Sequence, residues 1–214
     1  MRHPHGLRAA AGVPTGPNIG GAYQGGFFAG YISHTANGVA THGLIVAPAA
    51  SGYNGGSPLQ WKTSNTSTTG TSSSYDGASN SANMNNASHP AAQYCEGLTI
   101  GGYSDWYLPA RYELDIAYEN LKPTTDSNNT SYGINDYSVP KRTANRSAGT
   151  PAQTSIAAFQ SGGGAEAFVA GIHWSSTEGS ATNAWRLFFS DGTQNFLSGK
   201  GNGLYVRAFR KFAL

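Results

Sequence analysis

The sequence predicts an α+β domain with a small irregular antiparallel sheet, two helices and long loops. Three observations predict it. Aromatic residues make up 12% of the chain but charged residues only 11%, well under half the roughly 25% usual in soluble domains. Disordered chains have few aromatics, so four Trp and twelve Tyr imply a folded core. The apolar runs are short and bounded by Gly, Asn and Asp, the punctuation of strands and turns. Two stretches instead space their apolar residues at helical intervals.

In chain order, residues 1–25 carry Pro4, Pro14 and Pro17 among glycines and read as an arm or linker. Such an arm docks on a neighbouring subunit or stays a loose tail. Phe27-Phe28-Ala29-Gly30-Tyr31-Ile32 and Gly43-Leu44-Ile45-Val46-Ala47 are the first strands, joined by a turn at Asn37-Gly38. Residues 51–81 are rich in Gly, Ser, Thr and Asn, the composition of low-complexity disorder. Trp61 and Tyr75 need somewhere to pack, which argues for a long ordered loop.

A helix is expected from Ala82 to Leu98, with Ser88 near an N-cap and Pro90 in a first turn or kink. Gly101-Gly102 permits a tight bend. Trp106 and Leu108 alternate around Tyr107, and Pro109 stops the strand. Leu114, Ala117, Tyr118 and Leu121 then mark one face of a helix from Arg111 to Leu121, with Glu113 and Asp115 in its first turns beside the positive dipole end. Residues 124–163 read as polar loop. Strand character returns at 167–170, 184–189 and 204–209, separated by turns at Asp191-Gly192 and Gly201-Asn202-Gly203.

Composition also limits function. A net charge of +2, with Lys and Arg scattered and only Lys141, Arg142 and Arg146 clustered, does not make a nucleic-acid surface. The single cysteine, Cys95, excludes an intrachain disulfide and a multi-cysteine metal site, and its apolar setting suggests a buried thiol rather than a reactive one. The N-terminus does not read as a signal peptide, and no run approaches the ~20 apolar residues of a membrane span. The composition is that of an extracellular protein without a visible export signal. A phage structural protein reconciles the two, because virions leave by lysis; another export route or a missing leader would do so too.

Gly102-Tyr103-Ser104-Asp105-Trp106-Tyr107-Leu108-Pro109, Glu113-Leu114, Trp174-Ser175-Ser176-Thr177-Glu178, Ala184-Trp185, Phe189 and Tyr205-Val206-Arg207 follow one another at ordered separations. Together they resemble the C-terminal domain of the Legionella-type collagen-like adhesins, a family found in bacterial surface proteins and in phage tail and fibre proteins. The resemblance runs from about Ala82 to Arg210, more loosely back to Phe27. It implies a C-type-lectin-like fold, close to the formylglycine-generating-enzyme group. The chain departs from the family pattern at Tyr107, where a basic residue is usual, and at Ala110, where Ser or Thr would cap the helix, a loss of about 1 kcal/mol. Ala208 stands where some members carry a cysteine, so no bridge to Cys95 forms. Residues 183–204 also resemble the face that phages with retroelement-diversified lectin-like proteins vary.

Chemistry is sparse. Asp105, Glu113 and Asp115 suggest a carboxylate pair or a cation site, but a turn-fixing Asp105 and dipole-serving helix carboxylates explain them better. No alternating Asp/Asn calcium loop is visible. His173 stands alone, and one ligand does not define a zinc site, so it is read as structural or as an exposed polar residue. Ser175 and Ser176 lack the Gly-x-Ser-x-Gly elbow. No catalytic residue, metal or cofactor is therefore expected.

The strand at 184–190 is the exception. If Trp185, Leu187 and Phe189 point inward, alternation turns Ala184, Arg186, Phe188 and Ser190 outward. Exposed Phe beside Arg is a pairing enriched at binding hot spots, unless a neighbouring subunit or the loops cover Phe188. With Thr193, Gln194, Asn195, Phe196, Lys200 and Asn202 these residues form the expected receptor-binding set. The implied protein is a non-enzymatic phage virion adhesin of tail fibre or tail tip. It would meet a host-surface protein or glycan, join other virion proteins through its arm and assemble as a homo-oligomer, with a trimer the first guess. A structural virion subunit (capsid decoration or baseplate) and a bacterial surface glycan-binding adhesin are the alternatives. Neither nucleic-acid binding nor membrane insertion is expected.

Overall fold

The computed structural model describes residues 16–214; most of the expected arm, residues 1–15, lies outside the described residues. The elements are β1 (Ala22–Tyr23), β2 (Gly26–Ile32), β3 (His42–Val46), α1 (Ala49–Gly52), β4 (Leu59–Gln60), α2 (Gly77–Ala82), α3 (Pro90–Glu96), α4 (Arg111–Leu121), β5 (Ser138–Val139), β6 (Ile172–Glu178), β7 (Asn183–Phe188), β8 (Gln194–Gly199), β9 (Gly203–Leu204) and β10 (Phe209–Ala213), with a short 3-10 turn at Ala157–Phe159. The class is α+β. One antiparallel sheet runs β1-β2-β3-β10, with β5 beside β2; β6-β7-β8 form a second, and β4-β9 a two-stranded third.

The domain begins earlier than residue 26. Ala22 and Tyr23 pair with Phe27 and Gly26, and the Gly20 N–H donates to the Phe28 carbonyl at 2.7 Å. The last strand, β10, lies against β3 in the same sheet, so the two ends of the described chain close one layer.

Two apolar clusters fill the interior. One gathers Leu114, Ala117, Tyr118 and Leu121 of α4 with Ile32, Leu44, Phe189 and Phe209. The other gathers Trp61, Trp106 and Trp174 with Ala91, Ala92 and Cys95 of α3. The 106–108 segment joins them: Tyr107 enters the first cluster, while Trp106 and Leu108 enter the second. The alternation is thus present with both faces buried, and among the described residues its only ladder contact is the Tyr107–Phe209 bridge. Gly101 and Gly102 both take positive φ, +62° and +84°, which makes the bend before it cheap only for glycine.

α4 has the expected ends. Ala110 offers no capping side chain, but the Glu113 carboxylate accepts from the Ala110 N–H at 2.8 Å and Thr177 Oγ1 accepts from the Arg111 N–H at 3.1 Å. A hydroxyl distant in sequence therefore replaces the local cap. Glu113 does more than serve the dipole. It is fully buried, receives the Tyr107 hydroxyl at 2.8 Å and the Gly77 N–H at 3.1 Å, and so ties α2 to α4. A Cβ on Gly77 would stand 2.3 Å from that carboxylate.

The single helix expected over 82–98 is two. α2 starts earlier, capped by Asp76 accepting from the Ser79 N–H, and ends at Ala82. Asn83, Asn85 and Asn86 follow; Asn side chains compete for backbone groups, and Pro90 has no N–H to continue a helix. Pro90 instead occupies the first turn of α3. His89, not Ser88, holds the cap position, its ring bonded to Asn86 Oδ1 and Thr68 Oγ1, each at 2.9 Å.

Strand character at 167–170 is displaced. Those residues are irregular, with Phe168 buried, and the strand is β6. The last predicted strand divides into β9 and β10 because Arg207 turns inward between them. It is buried against the rings of Phe168, Tyr53 and Phe159 and pairs with Glu166 at 2.7 Å.

Both long polar loops are ordered by buried cations. In the first, Trp61 is fully buried, donating to the Ser175 carbonyl at 2.9 Å, and Lys62 Nζ donates to the Thr66 and Ser67 carbonyls and Thr68 Oγ1. Tyr75 stacks on Tyr137 with ring centroids 4.3 Å apart. In the second, Arg142 and Arg146 turn inward onto Asp115 and Glu119, while Lys122 Nζ donates to the Asp126 and Pro151 carbonyls and Asn128 Oδ1. Asp115 is thus the anchor of a charge network. Cys95 is fully buried and burial pushes its thiol well up, as befits a packed, unreactive cysteine.

Candidate functional site

β6 and β8 flank β7, and the registers on both sides are broken. The shift between β7 and β8 lies at Ala184 to Arg186. Beside this shift half of the expected alternation is reversed. Leu187 and Phe189 are fully buried as predicted, but so is Ala184, while Trp185 is only partly buried. On the β8 side two residues, Phe196 and Leu197, stand opposite the single Trp185, and both are exposed. Trp185 comes to the surface, with the Arg111 guanidinium 4.0 Å from its ring and Phe196 5.1 Å away.

The predicted residues divide into three groups. Arg186, Phe188 and Asn195 are partly exposed together: Arg186 Nε donates to Asn195 Oδ1 at 2.9 Å, its Nη1 donates to Ser198 Oγ, and its guanidinium lies 5.0 Å from the Phe188 ring. Phe196 is 40% exposed and its neighbour Leu197 71%. Ser190 and Thr193 are half-buried at the adjoining turn, where Thr193 Oγ1 donates to Asp191 and accepts from Asn129 Nδ2 at 2.8 Å. Asn202 is exposed on the next turn.

Gln194 and Lys200 leave the set. Gln194 is buried, its amide donating to the Arg111 carbonyl at 2.7 Å. Lys200 is fully buried, ion-paired to Glu178, donating to the Thr66 carbonyl and seated 4.7 Å from the Trp61 ring. A lysine after Ser198-Gly199 reads as exposed in sequence; the loop that covers it comes from more than a hundred residues earlier.

The site residues missed in sequence are Arg111, Tyr112, Tyr137, Tyr75 and Trp185. Their rings run in series: Tyr75 to Tyr137 at 4.3 Å, Tyr137 to Tyr112 at 5.6 Å, then Arg111 at 4.3 Å from Tyr112 and 4.0 Å from Trp185. Only a bulge and a packed loop bring them together, and neither leaves a local signal.

The other chemistry-bearing groups are committed to the scaffold. Asp105 does not fix its own turn; it takes the Arg210 guanidinium in two bonds, 2.7 and 2.9 Å. His173 is fully buried between Tyr53 Oη at 3.1 Å and the Gly171 carbonyl at 3.2 Å, not exposed. Ser175 Oγ donates to the Trp185 carbonyl, and Ser176 Oγ accepts from Asn80. Among the described residues no group of three His, Cys, Asp or Glu is placed to hold a metal ion.

The profile of one family, the Lcl C-terminal domain, matches residues 54–210, close to three-quarters of the chain and inclusive of the whole 184–202 surface. The chain belongs to the Lcl C-terminal domain family. This establishes an adhesin-like domain. No curated protein matches the sequence. The Lcl-domain match starts within the first long loop and stops at Arg210 in β10, so β1 to β3 complete the sheet outside it.

The buried histidines make the stability of this Lcl domain pH-dependent. Burial pushes His173 down to about 3, and burial with Lys62 and Lys200 nearby pushes His89 down to about 4. An unfolded histidine titrates near 6.5, so the unfolded chain binds the proton first, and stability falls as pH drops below about 6.5. Glu113 acts oppositely: burial raises it to about 7, so the native state takes up a proton as pH falls through 7. His173→Phe should therefore flatten the fall in urea midpoint between pH 7 and pH 5, by up to about 1.4 kcal/mol per pH unit. An unchanged slope would show that His173 is not held neutral.

Proposed function

We propose that this Lcl domain is the receptor-binding module of a non-enzymatic attachment protein, a phage virion adhesin of tail-fibre or tail-tip type, with a C-type-lectin-like scaffold. The observation that carries the reading is the β7–β8 surface, where Arg186, Phe188, Asn195 and Phe196 meet solvent on a rigid sheet in an adhesin-like domain. Aromatic and arginine side chains supply large contact areas at low entropic cost, as in paratopes. The commitment of His173, Ser175, Ser176 and the carboxylates to structural bonds supports a binding role over catalysis. Display as a homo-oligomer on the particle would raise a modest single-site affinity by avidity.

Phe188→Ala combined with Phe196→Ala is the direct test. Arg186 is less suitable, because it braces β7 to β8. Adsorption to host cells is expected to fall at least about tenfold, while the melting temperature drops by no more than about 4 °C. Unchanged adsorption would sink this assignment. The strong exposure of Leu197 favours one second reading, a structural virion subunit in which this face is covered by another chain. A map of the assembled particle with Phe196 and Leu197 buried would establish it.

A further inference from the structure

Most cations of this domain are neutralised from within. Arg142 and Arg146 meet Asp115 and Glu119, Arg207 meets Glu166, and Arg210 meets Asp105. Among the described residues, Arg111 and Arg186 are the arginines with no carboxylate partner. Arg186 is at least bonded to Asn195 and Ser198. Arg111 is less satisfied: Nη2 donates to the Tyr112 hydroxyl at 2.8 Å, while Nε is buried with no partner at all.

Arg111 is also held in place. Its N–H is fixed by Thr177 Oγ1 and its carbonyl by the Gln194 amide, and the guanidinium is clamped between Tyr112 and Trp185. It lines a cavity of about 240 Å³ together with Tyr132, Ile134, Asn145 and Trp185. Burial lowers its pKa, the cost of holding an unpaired cation partly away from water. A fixed, unneutralised guanidinium facing a cavity is a donor set lacking its acceptor.

The geometry selects the acceptor. A guanidinium presents its N–H groups in a planar fork that matches a carboxylate. Of the rings beside it, Tyr112 and Trp185 are taken up by the guanidinium and by Tyr137 and Phe196. Exposed apolar side chains flank the cation: Ile134 at 50% and, beyond Trp185, Phe196 at 40%. We propose that Arg111 and the cavity beside Trp185 bind the carboxylate side chain of an acidic protein segment with apolar residues on either side of the acid. This rests on the receptor-binding reading of the β7–β8 face and names the partner chemistry there.

The test is a titration of the ¹⁵N-labelled full chain at fixed ionic strength, read at the Arg111 Nε–H and Trp185 Nε1–H signals. The probes are acetyl-Leu-Glu-Leu amide, the same peptide with Gln for Glu, and glucuronate. Saturable shifts are expected with the Glu peptide, weaker by about tenfold or more with the Gln peptide, and absent in Arg111→Gln. Comparing the two peptides on the unaltered chain keeps the test valid even if that variant folds poorly. No saturable shift, equal binding of both peptides, or tighter binding of glucuronate would each overturn the proposal. The titration needs no cells, so it fails separately from the adsorption test: peptide binding with unchanged adsorption of the Phe188, Phe196 variant would leave this site standing and remove the attachment reading.

Discussion

Replacing Arg207 with alanine is expected to cost about 3–5 kcal/mol, a large part of the roughly 5–15 kcal/mol that holds a domain of this kind together. The guanidinium is fully buried and makes three directed bonds: Nε to the Ala47 carbonyl at 2.8 Å, Nη1 to the Glu166 carbonyl at 2.7 Å and Nη2 to the Glu166 carboxylate at 2.7 Å. Truncation strands two carbonyls and leaves Glu166, which still receives the Ala49 N–H, as a poorly compensated charge. It also opens a cavity among Tyr53, Phe159 and Phe168. Lysine in its place should recover only part, since it keeps the charge but lacks the planar fork. The check is the urea midpoint of both variants; a loss below about 1 kcal/mol for alanine would mean that the bonds contribute little net stability.

The second large effect is expected at Asp115. Its carboxylate is almost fully buried and accepts from Arg142, from Arg146 and from the Asn135 amide at 2.8 Å. Asp115→Ala leaves the partly buried Arg142 and the buried Arg146 with Glu119 as their one shared carboxylate, at 3.0 and 3.2 Å. Burial and the Arg146 charge already push Arg142 down to about 9, so the pair tolerates little further loss. A cost of about 3–5 kcal/mol is expected, with faster proteolysis inside residues 124–163, where both arginines sit. Asp115→Asn keeps one acceptor and should fall between. Proteolysis unchanged from the parent would show that Lys122 and Asn128 order the loop by themselves.

Much of this was legible in the residues. Helix α4 follows from Leu114, Ala117, Tyr118 and Leu121, and its start from Pro109. The strands β2 and β3, the Gly101-Gly102 bend and the burial of Cys95 follow from similarly local signals. The ordered series of short motifs identified the adhesin family before any geometry was known.

The candidate site was legible only in part. Alternation along 184–189 placed Leu187 and Phe189 correctly but sent Trp185 inward and Ala184 outward, because the register shift opposite Trp185 is set by β8 and leaves no mark within 184–189 itself. Arg111 read as the first residue of a helix, Tyr75 as a ring in need of a packing site, Lys200 as an exposed lysine, and Tyr137 was not singled out from its polar loop. Nothing within a few residues of any of them indicates its partners.

By itself, then, the sequence determined the class of fold, the main helix, the family and the strand region that carries the proposed binding surface, since periodicity and turn chemistry act over a few neighbouring residues. The tertiary structure alone decided which charges are spent within the protein and which are left over. Whether a cation is neutralised depends on carboxylates brought close from distant parts of the chain: Glu178 reaches Lys200, Glu166 reaches Arg207, and among the described residues none reaches Arg111. Electrostatic pairing works through space, and only folding sets those distances.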